Sequence, residues 1–74
     1  MQKNRFSKDK LLHSKWTAQE VKNKERHFMV TELVRNEQSH AVEQCILQAV
    51  MTKNEYVLSP DELREVSTWQ MGWK

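Results

Sequence analysis

Residues 42–52 read Val42-Glu43-Gln44-Cys45-Ile46-Leu47-Gln48-Ala49-Val50-Met51-Thr52, and the fold turns on how they are read. At helical spacing, Val42, Cys45, Ile46, Ala49 and Val50 fall at i, i+3, i+4, i+7 and i+8. That is one stripe of a helix that Ser39 would cap. At strand spacing, Cys45, Leu47, Ala49 and Met51 share one face, while Ile46 and Val50 share the other with Gln44 and Gln48. Context favours the strand. A preceding strand needs a partner, and Lys53-Asn54 can turn the chain into Glu55-Tyr56-Val57-Leu58. The expectation is a mainly β fold, a small antiparallel curled sheet or barrel-like domain with one short helix. The alternative is α+β, with residues 40–52 helical.

The preceding strand is the stretch from Arg26 to Arg35, RHFMVTELVR. Its aromatic and β-branched residues suit a pleated surface and predict a strand over about 27–35. Phe28, Val30 and Val34 are expected on one side, with Met29, Thr31 and Leu33 on the other. Polar residues 36–40 read as a loop. Upstream, Ser14 to Ala18 fits a short strand. Thr17-Ala18-Gln19-Glu20 also matches a capping box that would open a helix at Ala18. Residues 21–26 hold too few apolar positions for a helical face and read as a loop.

Downstream, Ser59-Pro60-Asp61-Glu62 is the clearest local signal. Serine stands at the cap, proline at the first helical position, where its missing N–H costs nothing, and glutamate at the third. A short helix over 60–66 is expected, burying Leu63 and Val66. Thr68 to Trp73 closes the chain. Gly72, the only glycine, permits an unusual backbone angle or close packing between the two nearby indoles.

The chain has 74 residues, which is one small domain. Such a chain buries roughly 60% of the surface its unfolded form exposes. Three tryptophans, Trp16, Trp69 and Trp73, supply bulk to a small core or face a partner. The single cysteine, Cys45, excludes an intrachain disulfide. No run approaches the roughly 18 apolar residues of a membrane span, so no membrane association is expected. The leading residues lack the apolar stretch of a secretory signal. A reducing cytoplasm is the expected compartment.

Charge is uneven. Residues 1–26 carry eight basic side chains against three acidic ones, and residues 27–74 carry four against seven. Residues 1–9 read as a disordered basic arm attached to a domain over 10–74.

One glycine excludes a glycine-rich phosphate loop or dinucleotide fingerprint. His13, His27 and His40 match no metal-ligand spacing. Cys45, among apolar residues, reads as a core thiol. Asp61 and Glu62 are explained by capping and the helix dipole. Neither an enzyme, a metal site nor a cofactor is expected.

The positive signal is basic residues among aromatics. Arg5, Lys8, Lys10 and Lys15 would hold phosphates of RNA or single-stranded DNA, with Trp16 stacking under a base. The expected function is thus a non-enzymatic binding module directed at single-stranded nucleic acid. The alternative is a protein-interaction module using Trp69 and Trp73, since tryptophan is enriched at interface hot spots.

Lys10-Leu11-Leu12-His13-Ser14-Lys15-Trp16-Thr17-Ala18, His27-Phe28-Met29-Val30, the Glu62-Leu63 pair and Trp69-Gln70-Met71-Gly72-Trp73 together resemble the small tryptophan-rich proteins of bacteria. The similarity spans residues 10–74. It implies a stand-alone bacterial cytoplasmic protein and transfers no catalytic or binding residue. Pro60 departs from the pattern, in which an aromatic residue near this position is usual.

Overall fold

A computed structural model describes residues 3–74. Five antiparallel strands form one sheet: β1 (Lys15–Lys22), β2 (Glu25–Arg35), β3 (Val42–Ala49), β4 (Glu55–Leu58) and β5 (Trp69–Met71). Their order across the sheet is β4-β3-β2-β1-β5. The first four strands make a meander, and the last returns beside the first. The sheet is open, with β4 and β5 as its edges, so it is a sheet and not a barrel. Residues 42–49 are a strand, paired on one side with β2 and on the other with β4.

Among the described residues there is no true helix. The cap at Ser59 forms as expected: its side chain accepts from the Asp61 N–H, and the Glu62 carboxylate accepts from the Ser59 N–H. The capped segment is a 3-10 turn over Pro60–Arg64. It buries Pro60 and Leu63 but ends before Val66, which stays exposed. A second 3-10 turn occupies Lys8–Lys10.

The segment expected to be a loop over 21–26 is the tip of a hairpin instead. Asn23 and Lys24 both adopt left-handed backbone angles (φ 54° and 61°), and Lys22 pairs with Glu25 across them. Two left-handed residues match the natural strand twist in a tight hairpin. The tip lacks periodicity because residues 19–24 are exposed.

One face of the sheet is apolar. Trp16 lies opposite Phe28, Phe28 opposite Ala49, Val30 opposite Leu47, and Leu33 opposite Cys45. A register shift between Val30 and Glu32 brings Leu33 to this face, where strict alternation expected Val34. Leu33 packs on the core, and Val34 is exposed.

Two segments cover this face. The Pro60–Arg64 turn contributes Leu63, and residues 3–14 contribute Phe6 and Leu11. The expected disordered arm is therefore ordered from residue 3, because Asn4 ties it down. The Asn4 side chain donates to the carbonyls of Leu63 (2.8 Å) and Trp69 (2.9 Å), and its N–H donates to the Arg64 carbonyl. The Phe6 ring meets Trp16 edge-on at 5.7 Å, and the Arg64 guanidinium lies 4.2 Å over Phe6. The remainder of the expected arm, residues 1 and 2, lies outside the described residues.

Replacing Asn4 by alanine leaves two carbonyls without their donors. Each lost bond is worth about 0.5–1.5 kcal/mol. Asn4→Ala is expected to lower stability by about 1–2 kcal/mol in chemical denaturation. A variant as stable as the parent would show that residues 3–10 are not strapped down.

Candidate functional site

The two cover segments close only part of the apolar face. The part toward the β1–β2 and β3–β4 turns is left open, because both turns of a meander fall at the same end of the sheet. A cleft of about 280 Å³ opens there, near the small end of the roughly 300–1,000 Å³ range of ligand sites. Its apolar wall includes Ala18, Phe28, Leu47, Tyr56, Leu58 and Trp69, and its rim carries Glu20, Lys22 and Thr68.

Three aromatic rings shape the wall. Phe28 meets Trp69 edge-on at 5.2 Å and Tyr56 at 6.1 Å. The partners come from β5, β2 and β4, strands distant in sequence but facing the same way. The Trp69 indole N–H makes no hydrogen bond among the described residues.

Glu25 closes one side of the cleft. It is a buried carboxylate on the first residue of β2. Tyr56 donates its hydroxyl proton to Oε1, and Thr52 and Asn54 donate to Oε2, the latter at 3.0 Å. The β3–β4 turn is thereby tied to the β1–β2 hairpin. The hydrogen bonds from Thr52 and Tyr56 hold the carboxyl below its ordinary range, against a smaller opposing effect of burial. Tyr56, as donor to a carboxylate, is pushed above the ordinary phenol value. Glu25 is thus an anion at neutral pH, and no cation among the described residues forms an ion pair with it.

The residues singled out from sequence are distributed differently. Trp16 is 1% exposed, and its N–H donates to the Ser14 hydroxyl at 2.8 Å. It offers no face to a base, because Phe6 and the apolar face of the sheet enclose it. Arg5, Lys8, Lys10 and Lys15 are exposed. Lys8 and Lys10 share the first 3-10 turn, and the intervening Asp9 pairs with Arg35 at 2.8 Å. The Lys15 ammonium sits 4.7 Å over the Trp73 ring.

Trp69 and Trp73 do not form one patch. Trp69 turns to the apolar face, while Trp73 lies across the other face beside Lys15 and His27, with its N–H on the Phe28 carbonyl at 2.9 Å. Gly72 makes the switch at φ 82°, its N–H on the Lys15 carbonyl and its own carbonyl accepting from the Thr17 hydroxyl. Its role is that angle and not indole packing, since an added Cβ would meet nothing nearer than 3.9 Å.

The family model described as Tryptophan-rich protein (DUF2389) matches residues 14–74, most of the chain. The chain belongs to this family. No curated protein and no solved structure matches it. Two of the three tryptophans of this family member hold the fold: Trp16 fills the core, and Trp73 pins the closing residues across the sheet. The third, Trp69, is half-buried in the cleft wall.

Cys45 is buried beneath the 3-10 segment, and its thiol is pushed up to about 11 by burial, with the Glu62 charge adding. No group of three or more His, Cys, Asp or Glu side chains among the described residues could hold a metal ion. No helix there is long and apolar enough to cross a membrane.

Neither Glu25 nor the cleft was legible in the sequence. Glu25 fell in the polar stretch read as a loop, and strict alternation from Phe28 would have placed it on the opposite face. A turn at Asn23-Lys24 was the signal that would have brought it into β2.

Because Glu25 titrates lower in the folded than in the unfolded chain, its stabilisation is present above the ordinary carboxyl range. It is lost as pH falls through the folded value. The thermal midpoint should therefore drop on acidification from about pH 5 to pH 3. Glu25→Gln should lower the midpoint at pH 7 and flatten that acid limb. An acid limb unchanged by the substitution would contradict the assignment.

Proposed function

We propose that this protein is a non-enzymatic binding module whose recognition site is the cleft walled by Phe28, Tyr56 and Trp69. One observation carries the reading. A chain with little apolar surface to spare leaves three aromatic rings at an open end of its core face, although the same face is sealed a few residues away. A mainly apolar, aromatic-lined cleft with a few directed polar groups is the usual composition of a ligand site. Trp69 supplies both a ring and an unengaged N–H.

The module fits a reducing cytoplasm, since its one thiol is buried and serves packing. A second reading draws on the exposed Arg5, Lys8 and Lys10. No carboxylate forms an ion pair with any of them among the described residues. Such a surface attracts the backbone of RNA or single-stranded DNA through counterion release, without base stacking. Trp73, capped by Lys15, is the remaining tryptophan for a protein partner.

The two leading readings move different residues. Backbone amide shifts are expected at Ala18, Phe28, Tyr56 and Trp69 on titration with small phenols and alcohols of five or six carbons. A cleft unmoved by all of them contradicts the leading reading. Oligothymidylate would instead shift Arg5, Lys8 and Lys10, with affinity falling between 50 and 300 mM salt, if the second reading holds.

A further inference from the structure

We infer that the cleft takes a primary alkylammonium group, its carbon chain against the Phe28, Tyr56 and Trp69 rings and its cationic head at Glu25. The inference rests on the cleft's being the binding site.

Three features of the site point the same way. First, Glu25 is an enclosed anion with no cationic partner among the described residues. Buried charges are ordinarily paired, so this one has a vacancy for positive charge. Its hydrogen bonds leave that vacancy open: Oε2 takes two donors, but Oε1 takes only Tyr56. A carboxylate oxygen has capacity for a second donor. The three donors hold the group ionised and fix where its charge lies.

Second, the neighbouring surface suits a cation on an apolar stem. Aromatic faces attract ammonium groups through their quadrupole, and more strongly when water is excluded. The same fold shows this attraction twice elsewhere, at Lys15 over Trp73 and Arg64 over Phe6. In the cleft, three rings stand without such a partner.

Third, the lining is acidic on balance, with Glu20 and Glu25 against Lys22. Lys22 stands across the strand pair from Glu25 but makes no ion pair with it. An anionic ligand would have to approach two carboxylates. A neutral one would leave Glu25 unpaired.

The test is an NMR titration of the full chain at pH 7 with 1-aminopentane, Nα-acetyl-lysine methylamide and 1-pentanol. Either amine is expected to shift Glu25, Tyr56 and Trp69 at concentrations at least about tenfold below 1-pentanol, a difference of the size a paired charge supplies. The amine that saturates first tells a free amine from a lysine side chain as source. Equal saturation by 1-pentanol and the amines overturns the inference and leaves the cleft as the binding site. No shift at the cleft from any of the three overturns both. Glu25→Gln should bring the amines to the level of 1-pentanol, and an amine preference that survives in a folded variant overturns the role given to Glu25. Should that variant unfold, acidifying the parent well below the ordinary carboxyl range, until the Glu25 side-chain carboxyl carbon shift shows it protonated, should erase the amine preference while 1-pentanol binding persists. A preference that persists once Glu25 is protonated overturns the inference.

Discussion

A single open sheet with one apolar face has to cover that face, and this chain has only two short segments with which to do it. Residues 3–14 and the turn after Ser59 lie over Trp16, Val30 and Cys45 and contribute Phe6, Leu11 and Leu63. They stop short of the other end. Everything distinctive about the molecule stems from where that cover stops. The sealed end is a small close-packed core. The open end is a cleft floored by the buried Phe28 and Leu47 and walled by the less buried Ala18, Tyr56, Leu58 and Trp69.

The cleft keeps its shape because its floor and rim are tied by separate means. The floor belongs to the central strands, whose inward residues face one another in register. The rim is held by Glu25, which joins the β1–β2 tip to the β3–β4 turn through Thr52, Asn54 and Tyr56. Two exposed hairpin ends would otherwise move independently, since few apolar contacts reach them. A charged clasp fixes the two turns relative to one another without filling the space between them. It also sets an anion beside aromatic rings, the pairing on which the proposed alkylammonium preference rests.

Much of the fold is readable in the residues. The alternation in β3, the composition of β2 and the cap at Ser59 each act locally, and each forms. Where reading failed, the cause was a local irregularity with distant consequences. The shift after Val30 exchanges Leu33 for Val34 on the core face. The left-handed pair Asn23-Lys24 makes a hairpin without the glycine that normally announces one. Asn4 fixes the leading residues through carbonyls some sixty residues away, a contact that composition cannot suggest. The candidate site was hidden for the same reason. Phe28, Tyr56 and Trp69 are ordinary in their own segments and meet only through strand order. The basic and aromatic mixture around Trp16 was conspicuous in sequence, yet its indole is enclosed.

The central claim is that one end of the apolar face is sealed and the other open, and the three indoles report on it directly. With 5-fluorotryptophan incorporated, fluorine NMR resolves Trp16, Trp69 and Trp73, and a soluble paramagnetic agent broadens each according to its exposure. The account predicts that Trp16 stays sharp while Trp69 and Trp73 broaden. Trp69 as protected as Trp16 would mean the cleft is closed, and a broadened Trp16 would mean the cover is not in place.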